Sequence, residues 1–331
     1  MQVNSDLRVS VIIPTYNTAD RLRECLEALE KQNFPREQYE IIVVDDGSTD
    51  ATALIIKNYY VRYYYQTNKG PAAARNKGVE MAIGNIILFT DSDCIPDNNW
   101  IKEMVSSFQS PEIAGVKGIY KTAQRALWAR FAQVEFNERY KLLQKDEYID
   151  FIDTYSAGFR KDVFLSVGGF DVSFSVPNGE DADLSYRMSL KGYKMIFNPN
   201  AVVRHSGHPD SVKKYIKLKF WRGYWRMVVY QRYSAKIIKD SYTPQTLKLQ
   251  ILFAFISIPC LISMSFAPKL MFYFSLFWVF SFIAASLSFI LMATKQDVTV
   301  GILSPLFLFI RALSLGSGVC YRIMKSSLMK K

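Results

Sequence analysis

The sequence predicts an α/β domain with a mostly parallel sheet, followed by membrane helices. Three observations carry that prediction. From residue 9 to about residue 93, short apolar runs rich in β-branched residues alternate with segments of helical spacing, the pattern of buried parallel strands and their crossover helices. Acidic and small polar residues follow those runs directly, and open α/β sheets bind ligands beyond the carboxyl ends of their strands. The last third carries three long apolar runs, at 249–266, 270–292 and 298–319.

Taken in order, residues 9–13 are an unbroken run ending at Pro14 and read as the first strand. Apolar residues at 22, 25, 26 and 29 set a helix over 20–31. Residues 41–44 are a second strand with Asp45-Asp46-Gly47-Ser48 at its end, and Ser48 and Asp50 can cap the helix that begins near Ala51. Residues 59–65 are a third strand whose tyrosines supply strand and core surface. Gly70-Pro71 opens a helix over 72–83, and residues 86–89 are a fourth strand ending at Thr90-Asp91-Ser92-Asp93.

From about 117 to 200 the pattern loosens. Residues 128–140 have helical spacing, 154–159 read as a small-residue strand and turn, and two Gly-rich turns surround Glu180-Asp181-Ala182-Asp183, with a helix starting near Ala182. Over 211–238, apolar residues at 216, 220, 224, 225 and 228 interleave with Lys213, Lys217, Arg222 and Arg226. That is a basic amphipathic helix, expected in the membrane interface. The division is then 1–210 for the α/β domain, 211–240 for the interfacial helix and 241–331 for two to three membrane helices. The runs at 249–266 and 270–292 are charge-free and long enough to cross about 30 Å of hydrocarbon, whereas Arg311 makes the third run the weaker span.

Composition narrows the function. The chain has 331 residues, 50% hydrophobic and 21% charged, which excludes a disordered, collagenous or disulfide-stapled chain. Between Arg204 and Lys248, eleven lysines and arginines face only Asp210 and Asp240, so nine of the net eleven positive charges lie in that band. A nucleic-acid coat would spread its charge; a basic band abutting apolar runs marks the cytoplasmic face of a membrane protein. Cys25, Cys94, Cys260 and Cys320 show no metal-binding spacing, and no disulfide is expected. The N-terminus has no apolar h-region. The expected location is therefore the cytoplasmic membrane, multi-pass, with the catalytic domain in the cytosol.

The acidic clusters carry the chemistry. Asp91-Ser92-Asp93 just past a buried strand can hold Mg²⁺ or Mn²⁺, hard cations that also take substrate phosphates, although such a tripeptide also serves as a turn. Asp45 and Asp46 can accept hydrogen bonds from a ribose or a base N–H. With Arg75 nearby in sequence, the two edges read as a nucleotide diphosphate pocket.

Val11-Ile12-Ile13-Pro14-Thr15-Tyr16-Asn17, Asp45-Asp46-Gly47-Ser48, Gly70-Pro71-Ala72-Ala73-Ala74-Arg75-Asn76, Asp91-Ser92-Asp93, Gly169-Phe170-Asp171, Gly179-Glu180-Asp181 and Leu184-Ser185-Tyr186-Arg187 occur in the order and spacing of glycosyltransferase family 2. The resemblance covers roughly residues 7–235. It implies a GT-A fold, a nucleotide-sugar donor (a UDP-sugar first), a divalent metal and inversion at the anomeric carbon. The basic segment and apolar runs are similar to the membrane-bound branch that builds cell-surface polysaccharides and lipid-linked glycans, which implies hexosyl transfer to a lipid-linked glycan or polyprenyl carrier.

Residue by residue, the resemblance implies that Asp45 and Asp46 contact the base or ribose, that Pro14, Tyr16 and Asn17 line the nucleoside side, and that Arg75 lies near the nucleotide. Asp91 and Asp93 match the DXD motif and are both metal candidates, Asp93 ahead of Asp91 as the direct ligand. His205 falls where relatives place a metal- or phosphate-contacting histidine. Asp181 matches the catalytic base; Glu180, Trp221 and Arg222 are candidates for acceptor or phosphate contacts. Two departures stand out. Ser156-Ala157-Gly158 replaces the Gly-Ala-Asn of relatives, and the QxxRW motif of processive synthases is absent. The alternatives are a polyprenyl-phosphate sugar synthase and a non-catalytic membrane scaffold that retains the sugar-nucleotide fold.

Overall fold

The computed structural model describes residues 8–174, 178–263 and 268–328, so the end of the apolar run at 249–266 lies outside the described residues. The chain forms two compact units, Met1–Ala123 with Leu143–Gly207, and Gln124–Leu142 with His208–Lys331.

The first unit begins β1 (Val9–Thr15), α1 (Ala19–Glu30), β2 (Tyr39–Asp45), α2 (Thr52–Ile56), β3 (Arg62–Tyr65), α3 (Pro71–Met81), β4 (Ile86–Phe89), β5 (Cys94–Pro96), α4 (Trp100–Ser106) and β6 (Ile113–Lys121). Next comes α5 (Leu127–Leu143), nearly all of which belongs to the second unit; β7 (Ala157–Arg160), α6 (Lys161–Ser166), α7 (Glu180–Leu190) and β8 (Lys194–His205) complete the first. One eight-stranded sheet runs β3-β2-β1-β4-β7-β6-β8-β5. Its first four strands are parallel, as the alternation predicts, while β7 pairs antiparallel with both β4 and β6.

Val11, Ile12, Ile13, Ile42, Val43, Ile87 and Leu88 are fully buried. Burial on both faces is why these strands read as continuous apolar runs. The tyrosines of β3 differ from expectation: all four residues of that strand are exposed, because it is the sheet edge with a single neighbour, β2. They cover no core.

Two long strands escape the sequence pattern. In β6, Gly115, Lys117 and Gly118 interrupt the apolar run, and Lys117 is buried beside Asp153 and Tyr155. In β8, Asn198-Pro199-Asn200 does the same, and the β6–β8 ladder carries two register shifts. The end of β8 pairs with β5, setting His205 opposite Cys94.

The second unit holds α5 together with α8 (Val212–Arg232), α9 (Ala235–Ile238), α10 (Gln245–Ser263), α11 (Pro268–Gln296) and α12 (Val298–Leu328). The expected helix over 211–238 therefore ends at Arg232 and is followed by a single turn. Phe131, Val134 and Tyr215 share a core with Phe282, Phe289, Phe307 and Leu308. Two glycines bring α8 against α12: a Cβ on Gly223 would lie 2.1 Å from the Leu315 carbonyl oxygen, and one on Gly318 would lie 2.0 Å from that of Phe220.

The membrane expectation is re-ordered. Among the described residues, Lys269–Gln296 and Val298–Leu328 are two helices long and apolar enough to cross a membrane, and Gln245–Cys260 is a shorter apolar helix. The third run qualifies by length and composition, and the Arg311 it contains is buried in protein. Its Nη1 donates to Glu135 at 3.1 Å and its Nη2 to Gln250 at 2.6 Å. A charge with two buried acceptors costs far less in an apolar helix than one left to lipid.

Candidate active site

The carboxyl edge of the first unit's sheet gathers three groups of side chains. On the β1–β2 side, Asn17 adopts a left-handed conformation, with φ of 52°. Its N–H donates to Ser48 Oγ at 2.9 Å and its Oδ1 accepts from the Thr49 N–H at 2.8 Å, locking the two loops together. Tyr16 beside it is exposed and Pro14 half-buried. Asp45 and Asp46 are both buried. Asp45 accepts from the Ser48 N–H at 2.8 Å and from the Tyr63 hydroxyl at 3.0 Å. Burial, with the Asp45 hydrogen bond and charge, pushes the Tyr63 phenol up to about 12. Asp46 accepts from Gln66 at 2.7 Å and from the backbone N–H groups of Lys69 and Gly70 at 2.9 and 2.8 Å. It thereby shapes the turn that opens α3, where Gly70 sits at φ of 89°.

At the ends of β4, β5 and β8, ligand atoms of Asp93, Cys94 and His205 lie within 4.8 Å of one another. His205 Nε2 is 3.4 Å from Asp93 Oδ2, and Arg21 of α1 lies 3.5 Å from the same oxygen. Burial works to raise the Asp93 carboxyl, but the His205 hydrogen bond and the charges of His205 and Arg21 hold it below the usual carboxylate range. Burial, then the charges of Asp91 and Asp93, push the Cys94 thiol well up. Carboxylate oxygen and imidazole nitrogen together suit Mn²⁺ better than Mg²⁺. Gly207 keeps this space open: a Cβ there would lie 2.3 Å from Asp93 Oδ2 and 3.0 Å from His205 Cε1. The residues present therefore fit a divalent cation. Behind His205, the Tyr120 ring stacks at 5.1 Å.

The third group is centred on Arg75, which is 3% exposed. Its Nη2 donates to Asp91 Oδ1 at 2.9 Å and its Nη1 to Glu180 Oε1 at 3.0 Å. Burial and the Asp181 charge outweigh Arg75 and push the Glu180 carboxyl up to about 7. Asp181 is half-buried, and its Oδ1 accepts from the Ala182 N–H at 2.7 Å. Asp183 is buried and paired with Arg187 at 2.9 Å. Of the three acids at the start of α7, Asp181 alone is not fully buried. That helix begins at Glu180, two residues ahead of the expected start.

Ser156 is fully buried, accepting from the Trp100 indole at 2.9 Å and donating to the Ala201 carbonyl at 3.1 Å. The departure at that position fills a packing role. Trp221 and Arg222 lie in the second unit, where Trp221 packs edge-on to Phe220 and Tyr224, and Arg222 lies over the Phe136 ring. Arg21, Tyr63, Tyr120 and Gly207 escaped sequence reasoning. Only Gly207 gave a signal, a small residue two positions from His205.

Residues 10–168 match the sequence profile of glycosyl transferase family 2. Glycosyltransferase AglE of Haloferax volcanii is 31% identical over 218 residues, spanning 61% of this chain and 67% of that protein. A Methanococcus voltae protein is 27% identical over 226 residues, spanning 63% of this chain and 70% of its own. It is named dolichyl N-acetyl-alpha-D-glucosaminyl phosphate 3-beta-D-2,3-diacetamido-2,3-dideoxy-beta-D-glucuronosyltransferase. Among solved structures, mannosyltransferase PcManGT from Pyrobaculum calidifontis, in complex with GDP-Man and Mn²⁺, aligns with a TM-score of 0.61 and 19% identity over 96% of this chain and 87% of its own. That likeness shows the fold, GT-A. The sequence profile and the 31% identical relative, with the ordered motifs, show that the chain belongs to glycosyl transferase family 2 and is a glycosyltransferase.

Proposed function

We propose that the protein is a membrane-associated inverting glycosyltransferase. It moves a hexosyl group from a nucleoside-diphosphate donor, a UDP-sugar first, to a lipid-linked glycan or polyprenyl carrier at the cytoplasmic face. One observation carries the reading. The half-buried Asp181 is adjacent in sequence to Glu180, which Arg75 joins to Asp91 at the acidic edge. A donor edge and a base thus converge within one unit.

In this reading Pro14, Tyr16 and Asn17 line the nucleoside side, while Asp45 and Asp46 order the loops around it. Asp93 and His205 hold a divalent cation, which supplies positive charge against the diphosphate. Asp181 takes the proton from the acceptor hydroxyl as that oxygen attacks the anomeric carbon. Membrane association is supported by the two long apolar helices and by the basic α8, on which Trp221 and Arg222 are suited to an acceptor phosphate or headgroup. The name of the Methanococcus voltae relative points the same way, to a lipid phosphate acceptor.

The full chain in detergent, given UDP-glucose, UDP-N-acetylglucosamine or GDP-mannose with Mn²⁺, should release nucleoside diphosphate and label a glycosylated polyprenyl acceptor. EDTA and Asp93→Asn should each abolish most turnover. Asp181→Asn should cut transfer by about 10²–10⁴ with the melting temperature retained. Full activity in EDTA, or near-normal transfer by Asp181→Asn, would refute the reading. Transfer to bare polyprenyl phosphate in place of the glycosylated carrier would favour a polyprenyl-phosphate sugar synthase.

A further inference from the structure

We propose that Arg75 is a positioning residue: its guanidinium ties the turn carrying Asp181 to the acidic edge at Asp91, and it acts on turnover, not on donor affinity. Position and sequence motif together suggest a nucleotide contact for this arginine, but its surroundings say otherwise. The side chain is 4% exposed, and both terminal nitrogens are engaged, one with Asp91 at 2.9 Å and one with Glu180 at 3.0 Å. Glu180 is equally buried, with a side chain 4% exposed. The Phe170 ring lies 5.7 Å from the guanidinium carbon. Swinging the guanidinium out to a donor would break its pair with the buried Glu180 and its bond to Asp91, whose side chain is 31% exposed, and removing one partner of a buried pair is strongly unfavourable.

The shape of the group explains what it does there. A guanidinium is a rigid planar fork, so two carboxylates bound to its two ends are held at a fixed separation and angle. Asp91 follows β4, whereas Glu180 is the first residue of α7. Fixing Glu180 also fixes Asp181, the next residue, and a reacting group displaced by about 1 Å can lose about 10² in rate. The neighbouring side chain, Asn76, clamps the backbone of Phe170 on its own, accepting from its N–H at 2.9 Å and donating to its carbonyl at 2.8 Å. The loop before α7 thus has an anchor independent of Arg75.

Positioning by Arg75 has meaning only if Asp181 is the base, so it rests on the function proposed above, and Asp181→Asn is run beside the test variants. Arg75→Lys keeps the charge but loses the fork; Glu180→Ala removes the far partner. In the full chain in detergent, each is expected to lower kcat roughly tenfold or more, with donor KM and the affinity for UDP or GDP with Mn²⁺ within about threefold of wild type. The double variant should be no slower than the slower single one, because both break the same link.

Three results would overturn the proposal while the transferase reading stands. They are weakened UDP or GDP binding with kcat spared, multiplicative losses in the double variant, and single variants that behave as wild type. Loss of the melting transition in Arg75→Lys would also overturn it, since the link would then be structural. Near-normal transfer by Asp181→Asn would remove both readings together, and is recognised by that variant alone.

Discussion

Glu180 is a carboxylic acid held almost entirely out of water, 3% exposed. It lies in the interior beside the Asp181 charge, and Arg75, shared with Asp91, compensates only in part. Its carboxyl is pushed from 4.5 up to about 7, first by burial and then by Asp181. Between those values the unfolded chain has released this proton while the folded chain keeps it. The folded state therefore binds more protons there, and this group's contribution to stability falls as pH rises from 4.5 to about 7, then levels off. Glu180→Gln cannot titrate. In metal-free buffer, the melting temperature of wild type minus that of Glu180→Gln should decline across this window. A difference that stays flat with pH would show that Glu180 titrates normally.

Helices α8 and α12 meet at a closeness that only glycine permits. Gly223 and Gly318 each face a backbone carbonyl of the other helix, and backbone cannot step aside as a flexible side chain can. Gly223→Ala and Gly318→Ala should therefore each destabilise the second unit by about 1–3 kcal/mol, the usual cost of overpacking. Thermal melts in one detergent would read this, and an unchanged midpoint in both variants would mean that the helices are not in close contact. The same pair of helices explains the charge in the third apolar run. Lys219 from α8 and Arg311 from α12 both reach Glu135 on α5, at 2.9 and 3.1 Å, and Tyr215 donates to the same carboxylate at 3.0 Å. Burial and the competing charges around Lys219 lower its proton affinity, while Glu135 is held ionised, with a pKa of about 2.

For the whole molecule, α5 is the consequential element. It lies early in the chain, but its Phe131 and Val134 share a core with α11 and α12. Its Arg130 also pairs with Asp297, between those two helices, at 2.6 Å. Every family motif precedes residue 234, so truncation there looks harmless in sequence. The structure predicts the opposite. Loss of α10–α12 would leave Glu135 without Arg311 and uncover a contiguous apolar face, which drives association. The fragment ending at Ser234 should be aggregated without detergent; a monodisperse fragment with a cooperative melt would contradict this.

The parallel strands and helices up to residue 89 were legible because local pattern decides them: a strand buried on both faces must be apolar throughout, and its ends must turn with Gly, Pro, Ser or Asp. The Asp45-Asp46 and Asp91-Ser92-Asp93 clusters were legible for the same reason, since each stands at a strand end. The remaining features depend on segments far apart in the chain. His205 reaches Asp93 through the short β5–β8 pairing. Arg75 was visible as part of a motif, but its commitment to Glu180, 105 residues away, was not. Arg311 looked like a flaw in an apolar run until Glu135 and Gln250 appeared beside it. Local sequence states which groups must leave water; only the tertiary structure decides which distant partner satisfies a buried charge, because that partner is chosen by packing and not by spacing.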